Sequence, residues 1–276
     1  MSGDNGAPAF ERAAATYDAE ARANPAMVYM RAVSLATLER AFGPGQRLLE
    51  IGCGTGEEAV ALARLGCCVL ATDVSPAMLA LTEARAAGAG VASQVQTLLL
   101  SAAELSRLRA GSLFDGAYSS FGPLNALADL EPFVQTLAGL VRPGGRVVLS
   151  VMNRCYPLEV CWFLAHGQVR QAFRRWSTAR ASVSRAVVQQ MCTHYHSLAA
   201  LRRAARPWFR VQSSRALPLL LPPPYLAGVW QRHPWLVASL QPCEARLATR
   251  WPWAALGDHW LVELERLAAS ARRQFG

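Results

Sequence analysis

Short apolar runs bounded by turn residues alternate along this chain with stretches whose apolar residues recur at helical spacing. Runs of the first kind read as buried strands, and a period near 3.6 reads as helices packed on one side. The pattern predicts strands over 47–52, 67–73, 94–100, 113–119 and 146–152. Helices are predicted between them: over 59–65, from Pro76 to about residue 87, briefly after Ser101, and over 129–141. Ser75 supplies an N-cap and Pro76 the first helical position. Gly43-Pro44-Gly45, the break from Gly88 to Gly90, and Arg142-Pro143-Gly144-Gly145 mark turns. Strands alternating with helices imply an α/β fold with a Rossmann-like, doubly wound, mostly parallel sheet.

Two helices are predicted ahead of this unit within 8–42, with Tyr17-Asp18 in the first and 27–42 forming the second. After residue 152 the regularity stops. Residues 154–176 read as a helix rich in apolar residues and arginine, and 181–197 as a hairpin ending in Cys192-Thr193-His194-Tyr195-His196-Ser197. A helix over 198–206 and a strand over 208–217 follow. Residues 218–256 open with Pro222-Pro223-Pro224-Tyr225 and hold Trp230, Trp235, Trp251 and Trp253. A last strand, over 257–264, would be the seventh and antiparallel. This divides the chain into an N-terminal helical lid (1–44), a sheet core (45–153, 198–217, 257–276) and two cap insertions (154–197, 218–256). The cap is expected over the carboxyl edge of the sheet, where open α/β sheets bind ligands.

A length of 276 residues with 52 % hydrophobic content suits one elaborated domain. No apolar run approaches the ~18 residues of a membrane span, and residues 1–10 show no signal-peptide pattern. The seven cysteines are odd in number and form no C-x-x-C pair. Reduced thiols, no metal site and a cytoplasmic location are the expectation. The net charge of +9 comes from 28 basic residues, every one of them arginine. That bias points to codon usage rather than to a phosphate-binding design, so nucleic acid is not favoured as a partner. Arg170, Arg174, Arg175, Arg180 and Arg185 cluster, as do Arg202, Arg203, Arg206 and Arg210. Solvated helix faces explain them, with an anionic substrate or polyanion as the other reading.

Candidate chemistry concentrates in Leu48-Leu49-Glu50-Ile51-Gly52-Cys53-Gly54-Thr55-Gly56-Glu57. A strand, a tight glycine turn and a helix start let a ligand lie against bare backbone, near N–H groups that favour negative charge. Asp73 ends the next strand, 21 residues after Gly52, about the distance from glycine turn to ribose-binding acid in a Rossmann-type unit. A dinucleotide fingerprint needs a further glycine where Glu57 stands. The pattern E-x-G-x-G-x-G followed by Asp73 instead resembles motifs I and II of class I S-adenosylmethionine (SAM) methyltransferases. Phe114-Asp115-Gly116-Ala117-Tyr118-Ser119-Ser120 and Leu140-Val141-Arg142-Pro143-Gly144-Gly145-Arg146 resemble later motifs of that family. The likeness covers about 45–152 well, and 198–217 and 257–267 in outline.

The resemblance implies a small-molecule methyltransferase that binds SAM, releases S-adenosyl-L-homocysteine and uses no metal. It implies that Gly52, Cys53 and Gly54 face the homocysteine moiety, and that Glu50 orients this loop and the ammonium. Asp73 would take the ribose hydroxyls, Val74 and Met78 the adenine faces, and the Ser119 carbonyl the amino group. Met78 fits a core position equally well. The family commonly carries an acid at the position of Ala102, so backbone at Ala103, or Glu104, would read the adenine amino group; Glu104 also suits a solvated first turn. Tyr17 and Arg31 match a Tyr-Asp pair and a downstream arginine that close over the methionine end, although helix packing explains Tyr17 as well.

Transfer from a sulfonium is an in-line displacement with a neutral leaving group, and orientation alone supplies roughly 7–11 kcal/mol. A base is required only if the acceptor must lose a proton, and histidine suits that role. His194 and His196, two apart in the expected hairpin, would share a face as base or substrate contact, with His196 favoured. His259 is expected to support the last strand, and His166 and His233 are unassigned. Tyr156, Trp162, Phe163, Tyr225, Trp230 and Trp235 would line an apolar or aromatic acceptor site, or simply pack the cap. The expected partner is a small-molecule methyl acceptor, with no membrane span and a monomer or homodimer. The alternatives are an RNA methyltransferase, suggested by charge and by Pro222-Pro223-Pro224-Tyr225, and a SAM-binding protein without methyl transfer.

Overall fold

The computed structural model describes residues 7–108, 113–176, 180–181 and 191–268. Helices α1 (Ala7–Ala23) and α2 (Pro25–Ala41) come first, separated by Asn24, whose side chain accepts the N–H groups of Ala26 and Met27. The core then runs β1 (Arg47–Ile51), α3 (Glu57–Arg64), β2 (Cys68–Asp73), α4 (Pro76–Gly88), β3 (Val95–Leu99), β4 (Phe114–Ser119), α5 (Glu131–Leu140) and β5 (Val141–Met152). The remainder is α6 (Pro157–Ala165), α7 (Val169–Ala172), the two-residue strands β6 (Arg180–Ala181) and β7 (Met191–Cys192), α8 (Leu198–Ala205), β8 (Phe209–Leu217), α9 (Ala227–Arg232), α10 (Pro234–Leu247) and β9 (His259–Arg266).

Seven strands form one sheet in the order β3-β2-β1-β4-β5-β9-β8. The first five are parallel, and β9 runs antiparallel to both β5 and β8. Successive residues of β1 point to opposite faces. Leu48 joins a core with Met30, Leu62, Val69 and Tyr118, while Leu49 and Ile51 join another with Phe133, Leu137, Leu201 and Trp260. Both faces are therefore covered, which is why the strands read as continuous apolar runs. The order reverses between β1 and β4, so the crevice at the carboxyl ends of β1, β2 and β4 opens at the switch point of the sheet.

The structure departs from the sequence expectations after β4. Strand β5 already begins at Val141, paired with Phe114, and a register shift carries the Arg142–Gly145 turn inside it. The helix expected over 154–176 divides at Gly167, whose φ of +70° breaks it into α6 and α7. The expected hairpin is limited to β6 and β7; residues 182–190 lie outside the described residues, and 193–197 are not strand. Residues 269–276, placed in the core by sequence, also lie outside them.

The segments that follow β5 hold one another through buried charge. Glu159 of α6 accepts Arg174, Arg175 and the Tyr225 hydroxyl. Arg175 is 5 % exposed, contrary to the solvated face expected for it. Its guanidinium also donates to the Asn153 and Asp258 carbonyls at 2.8 and 2.9 Å and to the Asp258 carboxylate. Burial raises the Glu159 and Asp258 carboxyls, but the arginines outweigh it and hold both below their ordinary range, with His259 adding to the effect at Asp258.

Candidate functional site

The floor of the crevice is the turn after β1. Thr72 O accepts both the Gly52 and Cys53 N–H groups, at 2.8 and 2.9 Å, so the chain folds back over the end of β2. Two glycines here are bare for different reasons. A Cβ on Gly52 (φ +74°) would lie 2.2 Å from Pro123, which packs against the turn. Gly54 (φ +54°) has nothing within 4 Å of that position, so its bare backbone faces open space. Cys53 lies beneath, with its thiol near the Thr82 hydroxyl and pushed up by burial, so it is a filler rather than a nucleophile.

Asp73 sits beside that floor. One oxygen accepts the Gly54 N–H at 2.9 Å and the other the Ser75 N–H at 3.0 Å. Each keeps a lone pair for another donor. Burial raises the Asp73 carboxyl, and the Gly54, Ser75 and Val74 amides pull it back. Val74, Met78, Leu100, Ser101, Ala102 and Ala103 continue the wall. Glu104 does not: its carboxylate turns back to the Ser101 N–H and hydroxyl, closes a capping box and meets Arg107. That reciprocal bond corrects the expectation that Glu104 faces the ligand.

At the other end of the crevice stand Tyr17, Arg31, Glu50 and Glu58. Arg31 donates to Glu57 from Nη1, while its Nε lies 3.8 Å from Glu58 Oε1. Arg31 Nε, Glu50 Oε2 and Glu58 Oε1 are buried without a hydrogen-bond partner of normal geometry. Burial pushes the Glu50 carboxyl well above its usual range, Glu58 adds to this, and the Tyr118 hydroxyl opposes it. Two orphaned carboxylate oxygens and an orphaned guanidinium nitrogen are the complement of a ligand end that carries both an ammonium and a carboxylate. Helix α1 brings Tyr17 over this end. It is latched there by Asp18, which accepts the Thr55 hydroxyl at 2.7 Å and the Arg85 guanidinium. The opposite rim is Ser120, Phe121, Gly122, Pro123, Ala126 and Leu127, and the whole crevice encloses about 1170 Å³ including its open mouth.

Residues 48–145 match the family model for a methyltransferase domain. Over 110 residues the chain is 36 % identical to the ubiquinone biosynthesis O-methyltransferase of Sinorhizobium medicae (strain WSM419), an alignment covering 40 % of this chain and 42 % of that protein. Residues 48–145 therefore resemble a methyltransferase domain. The chain thus spans less than half the length of that curated relative. The fold is that of the cyclase SpnF (TM-score 0.55, 15 % identity, covering 86 % of this chain and 81 % of that one). It is also that of geranyl diphosphate C-methyltransferase from Streptomyces coelicolor A3(2) (TM-score 0.54, 15 % identity, 86 % and 78 %).

The structure gathers Tyr17 and Arg31 of the N-terminal helices with Glu50, Gly52, Cys53, Gly54, Asp73, Val74, Met78 and Ala103 around one crevice. Ser119 is buried one residue short of it, with its hydroxyl on Ile51 O, and Ser120 forms the wall instead. Glu58 was missed because an acid in the first turn of a helix ordinarily complements the helix dipole. The histidine pair also needs correction. The His194 N–H donates to Asn125 O and its carbonyl accepts the Asn125 side-chain amide, and His196 sits in an isolated bridge to Asn153. The His196 ring meets Leu127 O through Nε2 at 2.9 Å, and burial lowers its pKa. Neither side chain lines the crevice beside the methyltransferase motifs, so neither is placed as its base.

The expected aromatic liners are engaged elsewhere. The Tyr156 hydroxyl meets Leu221 O, Trp162 stacks on His166, and Trp230 donates to Pro222 O beside Tyr29. Phe163 and Tyr225 flank Arg174, and Trp235 is 68 % exposed. Tyr225 of the Pro-Pro-Pro-Tyr run is bound to Glu159 and is not among the residues lining the crevice.

Proposed function

We propose that the protein is a SAM-dependent methyltransferase acting on a small molecule. The observation that carries this is the coincidence, in one crevice at the switch point, of the Gly54 floor, Asp73, and the orphaned Arg31 Nε, Glu50 Oε2 and Glu58 Oε1. In this reading Asp73 accepts the two ribose hydroxyls, Arg31 takes the cofactor's carboxylate, and Glu50 and Glu58 take its ammonium. Val74, Met78 and backbone at Ala102 and Ala103 hold the adenine. Bound SAM supplies an electrophilic methyl group on a sulfonium. The chain's own task is to fix the acceptor on the axis opposite sulfur and to exclude water, so positioning dominates the chemistry.

The acceptor side of the crevice is then the Ser120–Leu127 rim. A small-molecule acceptor agrees with the O-methyltransferase name of the curated relative, and the arginine clusters do not argue for RNA. Arg175 is buried in an ion network, and Arg174 lies between aromatic rings. Among the described residues no helix is long and apolar enough to cross a membrane, and we assign the enzyme to the cytoplasm on its scattered, unpaired thiols.

Titration calorimetry with SAM and S-adenosyl-L-homocysteine, followed by transfer of tritiated methyl into extract fractions, tests the reading. Binding with label transfer to a small molecule is expected. Label appearing in RNA would point to the nucleic-acid alternative, binding without transfer to a cofactor-binding protein, and no binding would remove the proposal.

A further inference from the structure

Strand β8 is an edge of the sheet, and a second hollow lies against it, enclosing about 1090 Å³ including its open mouth. It shares no lining residue with the crevice. Helix α2 packs on one face of the sheet through Leu38, and α8 on the other through Leu201. Arg40 of α2 and Arg202 of α8 therefore reach this edge from opposite sides, and Arg215 comes from β8 itself. A register shift between Val211 and Ser213 leaves Gln212 as an extra residue. Such a bulge bends an edge strand and re-aims its side chains, and here consecutive residues from Val211 to Arg215 all line the hollow.

The charge of this wall is unbalanced. Its carboxylate, Glu263, is already occupied: Oε1 accepts Arg146, and Oε2 accepts Arg40 at 3.3 Å and the Ser213 hydroxyl at 3.4 Å. Arg202 donates to the Ser214 hydroxyl at 3.0 Å, and Arg215 meets the Tyr29 hydroxyl at 3.4 Å through Nη2. Neither has an ion-pair partner among the described residues. Arg215 Nε is buried with no hydrogen-bond partner. Arginines on an edge strand also guard it against pairing with another sheet, but a guard stands in water, and this nitrogen does not. A buried donor left unpaired costs free energy, which a ligand acceptor would recover. Trp251 stands on the rim, 79 % exposed, the most exposed large hydrophobic side chain among the described residues.

We propose that this hollow is a binding site for a small phosphate monoester that carries a planar ring, held by Arg40, Arg202 and Arg215 with the ring on Trp251. The inference goes beyond the methyltransferase reading and does not depend on it. A carboxylate offers one pair of oxygens and a single charge, enough for one guanidinium fork. A phosphate monoester offers three terminal oxygens and up to two charges, which suits guanidiniums arriving from three separate elements. The Ser214 hydroxyl accepts from Arg202 and keeps its own proton to donate. The ring of the ester covers the Trp251 face, which otherwise stays in water. A single-stranded nucleic acid presents the same phosphate and ring but needs a basic groove that tracks its backbone. Beyond the hollow that track is broken, because Arg146 and Arg210 are paired with Glu263 and Glu265.

Titration calorimetry of the full chain with phenyl phosphate, run with and without excess S-adenosyl-L-homocysteine, tests the proposal. Binding of one molecule per chain is expected in both, because the hollow and the crevice share no residue. Inorganic phosphate lacks the ring and benzoate lacks the third oxygen, so each should bind at least about tenfold more weakly. Arg215→Met and Arg202→Met should each weaken phenyl phosphate by about tenfold or more, while Arg210→Met, on the same strand but outside the hollow, should stay within about twofold. Arg202 is exposed, so its variant carries the test if Arg215→Met does not fold. Absence of binding, unchanged affinity in a folded Arg202→Met, or an equal loss in Arg210→Met would each overturn the proposal. So would benzoate or inorganic phosphate binding as tightly as the ester, loss of binding when S-adenosyl-L-homocysteine is present, or tighter binding of polyuridylic acid to the same arginines. Failure of S-adenosyl-L-homocysteine itself to bind would be distinct, because it removes the methyltransferase reading and leaves this site standing.

Discussion

Replacing Asp73 with alanine should weaken cofactor binding by about 2 kcal/mol or more, roughly 30-fold in Kd. The carboxylate's two oxygens already hold the Gly54 and Ser75 amides at 2.9 and 3.0 Å, which fixes their remaining lone pairs toward the crevice. Two charge-assisted bonds to a ribose diol would each be worth about 1.5–3 kcal/mol if nothing replaced them. Water entering the open mouth restores part of that, which sets the expected loss near the low end. The Gly54 and Ser75 N–H groups also lose their acceptor, so thermal unfolding must show the variant folded at the temperature of the titration. Calorimetry with S-adenosyl-L-homocysteine gives the magnitude, and its 2′,3′-dideoxy analogue gives the cause. The analogue should bind the wild type poorly and lose little further affinity in Asp73→Ala, because the partners of the carboxylate are already gone. The accepting form is the ionised one, and burial has raised the Asp73 pKa above its ordinary 3.8. Affinity should therefore fade as pH falls through that raised value. A folded variant with unchanged affinity, or an analogue that loses as much as the parent, would refute the reasoning.

Glu50 should release a proton when cofactor binds, because burial and Glu58 hold its carboxyl well above the usual range and an ammonium beside it favours the charged form. Calorimetry in buffers of different ionisation enthalpy should show release of up to about one proton per site, and proton uptake would contradict this. Gly54→Ala should cost about 1–2 kcal/mol of stability through its left-handed backbone and should weaken S-adenosyl-L-homocysteine binding, since the added methyl enters the open floor; retained affinity would show that the ligand does not lie there. Arg175→Met should destabilise the fold by about 3–5 kcal/mol in chemical denaturation by leaving Asp258 buried without its arginine and Glu159 with Arg174 alone. The depressed Asp258 pKa means that its stabilising contribution is complete above the ordinary 3.8 and is lost as pH falls through the folded value. The stability deficit of Asp258→Asn should therefore shrink on acidification, and a deficit that grows would refute the assignment.

The sheet was legible in the sequence because its information is local. Leu48, Leu49 and Ile51 are apolar because both faces of β1 are covered, and Ser75-Pro76 announces α4 by cap chemistry that needs no tertiary partner. The glycine turn and Asp73 were legible for the same reason. Glu104 misled because the hydrogen bond that removes it is also local, but competes with a distant ligand. The histidines misled because the hairpin expected for 181–197 gave His194 and His196 a shared face that residues 193–197 do not have. His259 looked like a strand residue, and is one. Its neighbour and partner Asp258 is tied to Arg175, 83 positions away in sequence, a separation that no periodicity reports. The cap aromatics were legible as hydrophobic but not in direction, since Glu159 alone of its helix turns inward while Trp162 and Leu164 face out.

The contact between Gly52 and Pro123 joins the two halves of the crevice mechanically. The first belongs to the turn that floors the cofactor end, and the second to the loop that carries Phe121 at the acceptor end. With 2.2 Å between Pro123 and the point where a Cβ would stand, the loops act as wedge and keystone: neither can shift inward unless the other yields. A side chain at position 52 would thus be felt first by whatever sits against Phe121, on the far side of the crevice from the change itself.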